Sequence, residues 1–209
     1  MGNTTENDQG HSRPIPDDIG HHFSEAAVEW LGRYHVDVPT AIRNELYWSP
    51  RNEQLIYKLG HCWQARNFGG FWLEKFGKCF TSGDVNKCLH IYGNGLGTEG
   101  ADGRGRAVVS NNVGEGSKLV VVEDPVSALR VGQFVDAMPL LGSHLATARL
   151  LAVSKMYESL VFWLDSDKYK EARAMEQRTK YMGRSARTIY TDEDPKAYTD
   201  QELQEILNG

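Results

Sequence analysis

Glu123, Asp165 and Asp167 end two apolar runs, KLVVV over 118–122 and LVFWL over 160–164, and Asp124 follows the first acid directly. A carboxylate is a hard oxygen donor, charged at neutral pH. Three or four gathered in one place repel one another unless a cation lies among them. Asp165 and Asp167 stand two residues apart, so in extended chain they point the same way. A cation that takes a few carboxylates and completes its shell with water and substrate phosphate is magnesium, with manganese as a substitute. The pattern therefore offers metal-assisted chemistry at phosphorus. An Asp-x-Asp taken alone has a plainer use, because Asp after a strand also caps the next helix.

The elements that must position these acids follow from the pattern around them. A continuous β-branched run reads as a strand buried on both faces, which a parallel sheet needs. From 118 onward strands and helices alternate: strand 118–123, helix 125–134, strand 136–140, helix 143–157, strand 159–164, helix 168–182, strand 186–191, helix 199–207. Such alternation with short joints predicts a parallel α/β sheet, whose ligand crevice lies at the carboxyl ends of its strands. Upstream, Phe23, Ala26, Ala27, Trp30 and Leu31 fall at helical spacing, and Pro39 starts a short helix over 39–44. Runs at 46–48, 54–59 and 62–66 read as antiparallel strands, the first two joined by a Ser-Pro-Arg-Asn turn.

Residues 1–20 lack apolar periodicity and read as a mobile tail. The glycine-rich loop 93–105 marks a boundary between an α+β unit at 21–106 and the α/β unit at 107–209. At 209 residues the chain suits one large or two small domains. A net charge of −5 gives no whole-chain electrostatic drive toward nucleic acid, so any such binding needs a local basic face. No run is apolar enough to span a membrane. Three cysteines argue against a disulfide framework and for a reducing cytoplasm, that of the host if the chain is phage-encoded. His61, Cys62, Cys79, Cys88 and His90 lack ligand-pair spacing, so no zinc is expected.

Val120-Val121-Val122-Glu123-Asp124-Pro125 and Leu164-Asp165-Ser166-Asp167 resemble the acidic motifs of the Toprim domain. Leu140-Leu141-Gly142-Ser143 lies where primases carry a Leu-Gly turn, and Asp194-Pro195-Lys196 is similar to their Lys-Asp-Pro turn. Earlier, Ala65-Arg66-Asn67-Phe68, then Lys78 to Gly83, then Leu89 to Gly93 resemble, in order, the small subdomain that precedes Toprim in primases. Together they look like a DNA primase catalytic core of the phage type. Ser127 stands where primases have a further Asp, and Tyr169-Lys170 replaces a small Ala-Gly pair, so the Tyr169 ring is expected to crowd the helix start. The chain carries no CxxC zinc ribbon or helicase module.

The resemblance implies an α+β subdomain followed by a Rossmann-like Toprim sheet, and primer RNA synthesis on single-stranded DNA from nucleoside triphosphates during phage replication. A separate replicative helicase is the implied partner. Glu123, Asp165 and Asp167 would be the catalytic metal ligands, joined by Asp124, with magnesium or manganese as cofactor. Arg66 and Lys78 would hold phosphates from across the cleft, Lys168, Lys170 and Arg173 from the Toprim side, and Arg104 and Arg106 would touch template. Aromatic residues of the first half would stack on bases. Two other classes use the same acids: a Toprim nuclease or processing enzyme, and a degenerate Toprim module that binds without chemistry.

Overall fold

The computed structural model describes residues 16–59, 62–68, 89–92, 118–140, 145 and 147–209. An antiparallel sheet is laid down first, in the order β1 (Leu46–Ser49), β2 (Gln54–Leu59), β3 (Cys62–Asn67) and β4 (Leu89–Tyr92). Two short helices precede it, α1 (Glu25–Gly32) and α2 (Val38–Arg43), each opened by a side-chain cap from Ser24 and Asp37. Three of these strands match the sequence expectation, and β4 is an addition to it. Leu89–Tyr92 is too short for alternation to stand out, and it is recruited by pairing with β3, Ala65 facing His90.

The second sheet is parallel throughout and holds β5 (Lys118–Val122), β6 (Asp136–Pro139), β7 (Ser159–Phe162) and β8 (Ser185–Thr188) in the spatial order β6-β5-β7-β8. Helices α3 (Pro125–Val131), α4 (Thr147–Met156) and α5 (Tyr169–Tyr181) supply the crossovers, and α6 (Asp200–Asn208) follows β8. The chain enters at β5, steps to β6 on one side, then crosses back to β7 on the other. The strand order thus reverses between β5 and β7, and ligands of open α/β sheets bind at that reversal.

Alternate side chains of β5 feed two buried clusters, as period-two geometry requires. Val120 and Val122 pack with Ala128 and Leu129 of α3, Leu203 and Leu207 of α6, and Trp163. The same cluster takes in Ala27, Trp30, Leu31, Trp48 and Leu55, so both halves of the chain share it. Leu119 and Val121 face the other way, onto Leu150 and Val153 of α4 and Ala172 and Met175 of α5.

The expected mobile tail is corrected in its last residues. Gly20 bridges Trp48 through backbone hydrogen bonds of 2.9 and 2.7 Å, and Asp18 accepts from Ser49 Oγ and the Arg51 backbone. Residues 1–15, the glycine loop 93–105, the boundary at 106/107 and Leu141 to Ser143 lie outside the described residues. Among the described first-half aromatics, Trp30, Trp48 and Tyr57 are core rather than stacking surface, and Phe68 packs edge-on against both tryptophans.

Candidate active site

β5 and β7 are neighbours, so the residues that leave their carboxyl ends meet at one rim. The Trp163 backbone N–H donates to Val121 O at 2.9 Å, which carries the β7 extension alongside the end of β5. Glu123 follows one strand and Asp165 the other, both half-buried. Glu123 Oε2 and Asp165 Oδ1 are shielded from solvent and have no hydrogen-bond partner. Such atoms are uncommon in folded proteins and call for an explanation, a bound ion among them.

Electrostatics point the same way. Burial, then the charges of Asp165 and Asp167, push the Glu123 carboxyl up from 4.5 to about 7, against the pull of Lys168. Burial and then Asp194 push Asp165 up from 3.8 to about 6, against Lys196. Like charges that share a poorly hydrated place raise each other's proton affinity. A cation reverses that tendency and lets both groups ionise.

The other acids of the motif are placed differently. Asp124 caps α3: its oxygens accept from the Val126 and Ser127 backbones at 2.8 and 3.1 Å, from Ser127 Oγ at 2.6 Å and from Lys196 Nζ at 2.9 Å. It therefore fixes the turn that aims Glu123. Asp167 lies in a 3-10 turn (Ser166–Lys168), largely exposed and ion-paired to Lys168 at 2.8 Å. That turn holds the two aspartates of the motif in unlike surroundings, one half-buried and one in solvent.

Of the basic candidates, Lys168 borders the rim and Lys170 is exposed in the first turn of α5. Arg173 Nη1 instead donates to the buried Glu176 carboxylate at 2.6 Å. Arg66 lies on β3 between Leu55 of β2 and Leu89 of β4. Lys78, Arg104, Arg106, His61, Cys79 and Cys88 lie outside the described residues.

Compared with solved structures, the chain aligns over 88% of its length with the zinc-binding and RNA polymerase domains of the Aquifex aeolicus primase, at TM-score 0.63 and 11% identity. A DnaG primase catalytic domain bound to single-stranded DNA gives TM-score 0.63 at 13% identity, and a DnaG catalytic core gives 0.57 at 12%, each over 88% of this chain. This chain folds like a DnaG primase catalytic core. It spans 56% of the Aquifex protein's resolved chain and 70% and 72% of the other two. No protein-family model matches the sequence, and no curated protein does.

Among the described residues, no three His, Cys, Asp or Glu side chains are gathered closely enough to hold an ion by themselves. Magnesium does not require that, since one or two carboxylates with water and substrate phosphate suffice. Two hard oxygen donors with lone pairs free of any hydrogen bond, at the switch point of a primase-like sheet, fit that ion.

Two residues of the rim were assigned no role from sequence. Asp194 and Lys196, in a 3-10 turn (Pro195–Ala197) and just before it, pair with each other at 2.8 Å, and Lys196 also reaches Asp124. The signal was the Asp-Pro-Lys turn, visible as a motif but silent about which acid it would neutralise. The expected crowding at Tyr169 does not occur: its ring turns outward and packs edge-on against Tyr190.

Proposed function

We propose that this protein is a metal-dependent primase that joins nucleoside triphosphates into short RNA on single-stranded DNA. The observation that carries this reading is the pair of partnerless carboxylate oxygens, Glu123 Oε2 and Asp165 Oδ1, at the switch point of a primase-core fold. In the reaction a 3′-hydroxyl oxygen bonds the α-phosphorus of a nucleoside triphosphate, and the bond to the β-phosphate oxygen breaks to release pyrophosphate.

Glu123 and Asp165 would hold magnesium or manganese, while Asp167, ion-paired to Lys168 in the exposed turn beside them, would join only if that pair opened and the turn moved inward. When bound, the metal supplies positive charge to the attacking and leaving oxygens. Asp124, through its cap on α3, holds Glu123 in line, and Lys196 pairs with Asp124 and Asp194 and so offsets part of the negative charge they place beside Asp165. Lys168 and Lys170, with Arg66 and Lys78 on the first half, would take phosphates, while Arg104 and Arg106 would meet template. The motif order favours the phage type, acting in a reducing cytoplasm beside a separate helicase.

The test is incubation with manganese or magnesium, labelled nucleoside triphosphates and single-stranded DNA. Short RNA is expected, and Asp165→Asn or Glu123→Gln should reduce it at least 100-fold, as loss of a principal electrostatic contact does. Cleaved DNA in place of RNA would make the protein a nuclease. No product with either metal would leave a binding module.

A further inference from the structure

Three large aromatic side chains are exposed among the described residues: Tyr169, Tyr181 and Tyr190. Two of them touch. The Tyr169 and Tyr190 rings lie 5.1 Å apart between centroids at 76°, an edge-to-face pair that leaves a ring face uncovered. Both stand at the rim of the candidate site. Tyr169 opens α5 directly after the turn that carries Asp167 and Lys168. The Ile189 N–H donates to Phe162 O at 3.0 Å, and Trp163 Nε1 donates to Thr191 Oγ1 at 2.7 Å. Those bonds run 189–191 beside 162–163, so Tyr190 emerges next to the stretch that delivers Asp165.

Charge around the pair is specific. Lys168 and Lys170 flank Tyr169 in sequence, Lys170 exposed and Lys168 paired with Asp167 at 2.8 Å, so the segment that carries this exposed ring also carries two ammonium groups beside the Glu123–Asp165 rim. An exposed aromatic pair on a segment that also carries lysines suits a nucleotide, the base on the rings and its phosphates on the amines, as single-strand binding surfaces combine basic grooves with stacking rings. Tyr190 is 57% exposed, so its ring is open to a ligand.

We propose that Tyr169 and Tyr190 form a stacking platform for a nucleobase whose phosphate reaches the Glu123–Asp165 rim. The inference rests on reading that rim as a nucleotidyl-transfer centre and adds the group that positions the substrate. The base belongs either to single-stranded DNA or to the incoming nucleoside triphosphate.

Two binding arms separate these sources without requiring synthesis: anisotropy of labelled oligo(dT), and titration with a fluorescent nucleoside triphosphate plus manganese. The double variant Tyr169→Ala/Tyr190→Ala should bind about 10-fold more weakly in one arm, and that arm names the source. Tyr169→Phe/Tyr190→Phe, which keeps both ring faces, should bind like the unaltered protein. In the DNA arm, an abasic strand of equal length should bind the Ala pair and the unaltered protein alike. Unchanged affinity of the Ala pair in both arms overturns the proposal, as does a Phe pair as weak as the Ala pair. So does an abasic strand that loses as much as oligo(dT). If primers are not made yet base binding still depends on the two rings, the platform stands and only the assigned reaction falls.

Discussion

Replacing Glu123 by Gln should make the metal-free protein more stable at alkaline pH. The carboxyl is raised from 4.5 to about 7 by burial and by Asp165 and Asp167. At about 1.4 kcal/mol per tenfold change in proton affinity, the upper bound on the native-state penalty is ~3 kcal/mol. Water reaches one side of the half-buried rim and screens the charges, leaving roughly 1–2 kcal/mol. The sign follows from linkage: a raised folded-state value gives stability that is fully present below about 4.5 and lost as pH rises to about 7. Gln mimics the protonated form at every pH. The variant should therefore match the unaltered protein near pH 4.5 and exceed it at pH 8 in EDTA by roughly 3–6 °C in Tm. Manganese at pH 8 should raise Tm of the unaltered protein and shift the variant much less. Thermal scans at the two pH values, with and without metal, make the measurement. A variant equal to or less stable than the unaltered protein at pH 8 would refute the idea of mutually repelling acids awaiting a cation.

Other parts of the fold give independent expectations. Arg130 is wholly buried, donates twice to Tyr198 O and bonds Asp200, so Arg130→Met should lower urea-unfolding stability by about 2–4 kcal/mol by freeing the start of α6. Thr191→Val should cost about 1–3 kcal/mol, because the Trp163 indole N–H, donating at 2.7 Å, loses its acceptor in a buried place. Glu176 is held low despite its burial by Lys180, Thr188 and Arg173. Its stabilisation is present above about 4.5 and lost as pH falls below that, so Glu176→Gln should destabilise by about 2 kcal/mol at pH 7 and by less in acid, read by urea titration at both pH values.

What the sequence made legible was whatever depends on short-range pattern. The β-branched runs of β5 and β7 announced buried parallel strands because both faces of each are covered, Val120 and Val122 on one side, Leu119 and Val121 on the other. The acids that end those runs were legible for the same reason, since a charge cannot continue a buried strand. The division of labour among them was not, because it is set by partners distant in sequence. Asp124 and Asp165 both lie just beyond an apolar run, yet Asp124 is filled by a helix N-terminus and by Lys196, 72 residues away, while Asp165 keeps an oxygen without a partner. Arg130, which no motif singles out, is the buried anchor of the segment 198–200. Tyr169 does not crowd the helix start because the room for its ring lies off the helix. The ring escapes outward, and the partner that receives it, Tyr190, arrives only when β8 pairs with β7. Local pattern thus locates the rim, and long-range pairing decides which of its side chains are spent on structure and which remain open for chemistry.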